Sequence, residues 1–300
     1  MKKCLAFVLG GGGARGAMQV GAMRALLEAG IKPDLLIGTS IGAVNATGLA
    51  VFGLNLEGIR KLESVYQEVA DMNLMDPRVS RLTLRALFGR PNHHASRRVM
   101  DFLVSKGITG DLKFEHIPGV RLALVSADLA SGEPVIYGQN PGDSVLEGLM
   151  ASMALHPWFA PLVKDGHLIV DGGALSNLPI EPAMSLGATE IISMPLGNST
   201  PVPQEGLSIS TYVEKLIFAI GRRQIRLEMA LARERGIPVR TIQLTCPTPA
   251  PIWDFRNCRD LMKVGYDIAS EQIAKWNLPP RPEYRQREKY PDRPGYWPTA

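Results

Sequence analysis

The chain has 300 residues, 45% of them hydrophobic and 21% charged, the composition of an ordinary globular protein long enough to bury one large core. No apolar run approaches the ~20 residues of a membrane-spanning helix. A net charge of +4 with only 6% aromatic residues argues against a nucleic-acid binder, in which basic residues cluster and interleave with aromatics.

The N-terminus, MKKCLAFVLGGGG, has the lysines and apolar stretch of a secretory leader, but the stretch is short and runs into glycine without a small-residue cleavage site. CLAFVL therefore reads as a first buried strand. Val20, Met23, Leu26 and Leu27 then recur at helical spacing, and Gly30 followed by Pro33 closes that helix. LLIG is a second strand, which completes a βαβ unit. Downstream, VRLALVSADL and PVIYG predict a strand pair joined by ASGE, and HLIV predicts a strand ending at Asp171. EPAMSLGA reads as a helix closed by Gly187, and EIISMPLG as a buried strand. Residues 208–235 form the longest helical stretch, with VRTIQLT as a last strand.

This alternation predicts an α/β fold with a mostly parallel central sheet covered by helices on both faces. Residues 55–105 break the pattern as a helical insertion, and the segment from 279 to 300, rich in proline, arginine and tyrosine, reads as an extended or disordered tail. The remainder, 1–278, is taken as one domain. Cys4, Cys246 and Cys258 have neither zinc-ligand spacing nor a disulfide pattern, which suggests a reducing, cytoplasmic setting. RRVM (97–100), RRQIR (222–226) and the basic tail are read first as solvated faces. Their alternative is peripheral contact with an anionic membrane surface.

Two motifs carry chemistry. Residues 11–16, GGGARG, satisfy GxGxxG between a strand and a helix. A dinucleotide site would need an acid at the end of the second strand, and that position holds Gly38, Thr39 and Ser40 instead. Unobstructed amides at a helix N-terminus bind phosphate, and they bind the alkoxide of an attacked ester equally well. Ser40 favours the second use, with Arg15 adding charge or fixing the loop. The second motif is GTSIG at a strand–turn–helix junction, where Gly38 and Gly42 give the room a nucleophile elbow requires.

A serine nucleophile needs a base. His93, His94, His116, His156 and His167 all precede Asp171, so no histidine follows that acid in the order serine, acid, histidine. His156 or His167 with Asp128 or Asp143 remains an alternative. Asp171, at a strand tip before Gly172 and Gly173, is the better candidate, provided a partly dry site raises its pKa.

GGGGARG, GTSIG and DGG, in that order and each at a strand end, resemble the patatin-like phospholipase family. ASMALHPWFAPL (151–162) and NLPIEPA are similar to its blocks around DGG. The resemblance covers about residues 4–200. It implies a three-layer sandwich and a lipid acyl hydrolase with a Ser40–Asp171 dyad, an oxyanion hole at Gly11, Gly12 and Gly13 with Arg15 as its basic residue, a lipid or ester substrate, and no metal or organic cofactor. Acyl transfer to an alcohol uses the same acyl-enzyme. His156 departs from the pattern by standing one position before Pro157, and is expected in a surface turn. Leu74, Met75, Leu87, Phe88, Trp158 and Phe159 are candidates for an acyl groove or for core.

Overall fold

The computed structural model describes residues 3–72, 93–156, 158–198, 209–246 and 252–276. The expectations for Leu74, Met75, Leu87, Phe88, Pro157 and residues 279–300 lie outside the described residues.

Strand β1 (Leu5–Leu9) leads through the glycine loop into helix α1 (Ala17–Glu28), and β2 (Leu35–Thr39) leads into α2 (Ile41–Phe52). The helices α3 (Leu56–Asp71) and α4 (His93–Ser105) fall within residues 55–105. Then come β3 (Arg121–Asp128), β4 (Pro134–Tyr137), α5 (Val145–Ser152), β5 (Leu162–Lys164) and β6 (His167–Asp171). α6 (Ile180–Ser185), β7 (Glu190–Met194), β8 (Leu196–Asn198), α7 (Ile209–Glu234), β9 (Val239–Thr241), β10 (Leu244–Cys246) and α8 (Cys258–Ala274) follow.

The main sheet has the order β5-β6-β3-β2-β1-β7-β9, with β4 also paired to β3. Its centre, from β3 to β9, is parallel, and β4, β5 and β6 join antiparallel at one side. Alternation along β1 divides the core. Leu5, Phe7 and Leu9 pack toward the cluster containing α1, α2, α3 and α8, whereas Ala6 and Val8 pack toward α6 and α7. Helices thus cover both faces, the three-layer arrangement the sequence predicts. α8 lies so close across α1 that a Cβ on Gly21 would stand 1.9 Å from Met262 O, and one on Gly265 would stand 1.9 Å from Met18 O.

Two apolar runs are divided where the sequence suggested single strands. EIISMPLG breaks at Pro195, which has no N–H to continue the ladder, into β7 and β8. VRTIQLT likewise divides into β9 and β10, and β10 pairs with β8 in a separate two-stranded sheet. The three cysteines are buried, and none forms a disulfide.

Candidate active site

Sheet register brings the sequence motifs together. β1 and β2 are parallel neighbours with Leu9 opposite Gly38, so the glycine loop and the GTSIG turn leave the same edge of the sheet. β3 lies between β2 and β6. Thr39 is level with Val125, and Asp171 is level with Ser126, so the serine turn and the carboxylate flank β3 at one height.

Ser40 has φ 56° and ψ −123°, and of the described residues other than glycine only Asp165 shares a positive φ. Such a backbone costs about 1–3 kcal/mol and persists only where the surroundings enforce it. The surroundings do so through close backbone contact: a Cβ on Gly38 would lie 2.3 Å from the Gly42 carbonyl, and one on Gly42 would lie 2.2 Å from Leu9 O. The Ser40 N–H donates to Ser152 Oγ at 3.0 Å, and Ser152 Oγ donates to Val125 O at 2.6 Å. Thr39 Oγ1 donates to Ser176 O at 2.8 Å, tying the turn to the chain that follows DGG.

Asp171 is buried, at 5% exposure. Its Oδ1 accepts the Gly173 N–H at 2.8 Å, and the Ser40 side chain lies close enough to favour its ionised form. Burial pushes the carboxyl up from the ordinary 3.8 to about 6, against the lowering effect of the Ser40 side chain and the Gly173 N–H. A carboxylate so placed is ionised near neutral pH yet basic enough to exchange a proton with a neighbour. Gly172 lets β6 end close to β3, since a Cβ there would stand 2.3 Å from Val125 O.

The glycine loop lies against this pair, and a Cβ on Gly11 would be 3.2 Å from Ser40 Cβ. Its backbone is largely committed. The Gly11 N–H donates to Asn177 O at 3.0 Å and the Ala14 N–H to Ile252 O at 2.7 Å, while Gln19 Nε2 donates to Gly10 O and Arg15 Nε to Gly12 O. The Gly12 and Gly13 amides donate to no acceptor among the described residues, so the free donors are narrower than the expected trio. Arg15 is 1% exposed, beneath the loop.

The histidine alternative loses its geometry. His167 Nδ1 is bonded to Asp128 Oδ2 at 2.8 Å, at the start of β6 and about 13 Å along the strand from Asp171. His156 is exposed, as expected of a surface turn. Phe159 is buried and Trp158 half-buried, and Trp158 stacks on Trp253. Sequence reasoning did not single out Ser152, Asn177 or Ile252. The first two stand inside the quoted blocks ASMALHPWFAPL and NLPIEPA, whereas nothing in the run around Ile252 signals its contact.

A mostly parallel sheet covered by helices on both faces, with a strained serine turn at one strand end and a buried carboxylate beside it, makes the chain an α/β protein. A family model described as patatin-like phospholipase matches residues 7–184, well over half of the chain. The protein belongs to the patatin-like phospholipase family. It is 33% identical over 198 residues to patatin-like phospholipase domain-containing protein 7 of Rattus norvegicus, an alignment covering 65% of this chain and 14% of that protein. It is 31% identical over 200 residues to an uncharacterised NTE family protein of Mycobacterium bovis, covering 66% and 51% respectively. The chain thus spans about one seventh of the length of the rat relative. VipD of Legionella pneumophila is similar in structure with a TM-score of 0.48 at 17% identity, over 91% of this chain and 67% of that one.

Proposed function

We propose that the protein is a serine lipid acyl hydrolase that cleaves carboxylic esters through an acyl-enzyme on Ser40, with Asp171 as general base. The observation that carries the reading is a buried carboxylate of raised pKa at the same height as, and beside, a serine held at positive φ. As Ser40 Oγ attacks the ester carbonyl carbon, Asp171 takes its proton. The oxyanion that forms is held by the Gly12 and Gly13 amides, the loop donors with no acceptor among the described residues. Collapse expels the alcohol, which takes the proton back from Asp171. Water then attacks the acyl carbon, gives a proton to Asp171, and releases the fatty acid as Ser40 regains its hydrogen.

Peripheral contact with an anionic membrane surface is part of this reading. On α7, Arg222, Arg223 and Arg226 are exposed with no acidic residue three or four positions away, beside Leu216, Ile220 and Leu227 at 47%, 49% and 51% exposure.

The test is intact-protein mass after treatment with a fluorophosphonate. One adduct on the wild type, absent from folded Ser40→Ala, supports an activated Ser40. A wild type that takes no adduct and hydrolyses no short-chain ester refutes the reading.

A further inference from the structure

The segment between β10 and α8 lies outside the matched span of residues 7–184, yet it touches the glycine loop directly. Ile252 O accepts the Ala14 N–H at 2.7 Å. Gly13 has φ 62°, and a Cβ there would stand 2.2 Å from Ile252 O, so the two backbones meet with no side chain between them. The next residue, Trp253, has its ring 5.0 Å from that of Trp158 and 6.3 Å from that of Phe159, the latter edge-on. Trp158 and Phe159 belong to the block before β5, in which Ala154 O accepts the Asp171 N–H at 3.1 Å. Two residues further on, Phe255 is buried 6.0 Å from the Tyr66 ring. Tyr66 donates to Asn45 Oδ1, and Asn45 Nδ2 donates to Gly16 O at the end of the loop.

We propose that Ile252 and Trp253 form a positioning strap for catalysis: Ile252 O orients the free Gly12 and Gly13 amides, and Trp253 anchors the strap to the block that holds Asp171. The inference rests on the acyl-hydrolase reading. Its physical basis is selection among donors. By taking the Ala14 N–H, the Ile252 carbonyl turns the peptide that follows Gly13 away from the substrate and fixes the one that precedes it. The aromatic stack then holds this carbonyl in register with the base side of the site. An oxyanion hole works through donors fixed before the charge develops, so a strap of this kind acts on the transition state more than on ground-state binding.

The test compares wild type, Trp253→Phe and Trp253→Ala in the full chain, each verified as folded by circular dichroism, on a short-chain p-nitrophenyl ester and by the rate of fluorophosphonate labelling. The expected result for Trp253→Ala is a kcat lowered about 10- to 100-fold with KM changed less than about three-fold, and labelling slowed in parallel. Trp253→Phe keeps the stack and is expected within about three-fold of wild type. Because Asp171 is untouched, the acid limb of the rate profile keeps its midpoint. Wild-type labelling with an unslowed Trp253→Ala overturns the strap alone, as does a rise in KM with kcat unchanged. A wild type that takes no adduct and hydrolyses no short-chain ester overturns the hydrolase reading and this inference with it. If Trp253→Ala does not fold, Trp253→Leu takes its place, and a Leu variant that is folded and fully active overturns the strap equally.

Discussion

Replacing Asp171 with asparagine is expected to abolish turnover and to stabilise the fold at the same time, with a pH signature that separates the two effects. In the folded protein the Asp171 carboxyl keeps its proton up to about 6, while unfolded it holds one only to about 3.8. Between those values the folded state binds the extra proton, so stability falls as pH rises through the window. Above it, the fold carries an ionised carboxylate in a dry site. The gap corresponds to about 3 kcal/mol, at about 1.4 kcal/mol for each tenfold change in proton affinity. The asparagine introduced by Asp171→Asn would be neutral and isosteric, its carbonyl would still accept the Gly173 N–H, and its amide would donate to Ser40 Oγ. Glu228 is also raised by burial, from 4.5 to about 7, but it is common to both proteins and cancels in the difference. Urea unfolding at pH 4 and pH 8 is the assay. The variant is expected to match wild type at pH 4 and to exceed it by about 3 kcal/mol at pH 8. A destabilised variant at pH 8, or a difference independent of pH, would refute the claim that desolvation sets the state of this carboxylate.

The same pKa predicts that kcat/KM on a soluble ester rises with pH with a midpoint near 6, as Asp171 ionises; a midpoint near 4 would mean that the carboxylate is not desolvated in the working enzyme. Gly42→Ala places a Cβ 2.2 Å from Leu9 O and is expected to cost about 2–4 kcal/mol in urea unfolding, whereas an effect under about 0.5 kcal/mol would show that the turn is not tightly held. Charge reversal of Arg222, Arg223 and Arg226 is expected to weaken flotation with vesicles containing anionic lipid while leaving short-chain esterase activity unchanged. Equal flotation of variant and wild type would remove α7 as the contact surface.

The glycine loop, GTSIG and DGG were legible because each marks a place where backbone must approach backbone, and short-range sequence encodes such places directly. The strand of Asp171 was legible as well, but its direction was not. β6 runs antiparallel beside β3, and nothing in HLIV distinguishes that from a parallel neighbour. Pro195 was present in the quoted run EIISMPLG, and its missing N–H is enough to end β7. The run was long and apolar enough to hide the break. Ser152 and Asn177 act at this site through one Oγ and one carbonyl oxygen, contacts that only the folded chain defines. Ile252 acts through a backbone carbonyl nearly 240 residues from its donor, Ala14, so its side chain carries no signal of the contact at all.

On the proposed reading, the absence of a histidine partner follows from where the carboxylate stands. An exposed aspartate with a pKa near 3.8 would be too weak a base to take a serine proton. Burial at the end of β6 raises it to about 6, close enough to neutrality to accept the proton in the transition state and still ionised at pH 7. Further burial would leave it protonated at rest. The Ser40 side chain and the Gly173 N–H act in the opposite direction and hold the value below that limit. The register that sets Asp171 beside Ser126, and Thr39 beside Val125, brings this carboxylate to the hydroxyl without an intervening imidazole. The two residues can therefore work alone because the two strand pairings on either side of β3 fix the distance, and burial at the end of β6 sets the basicity.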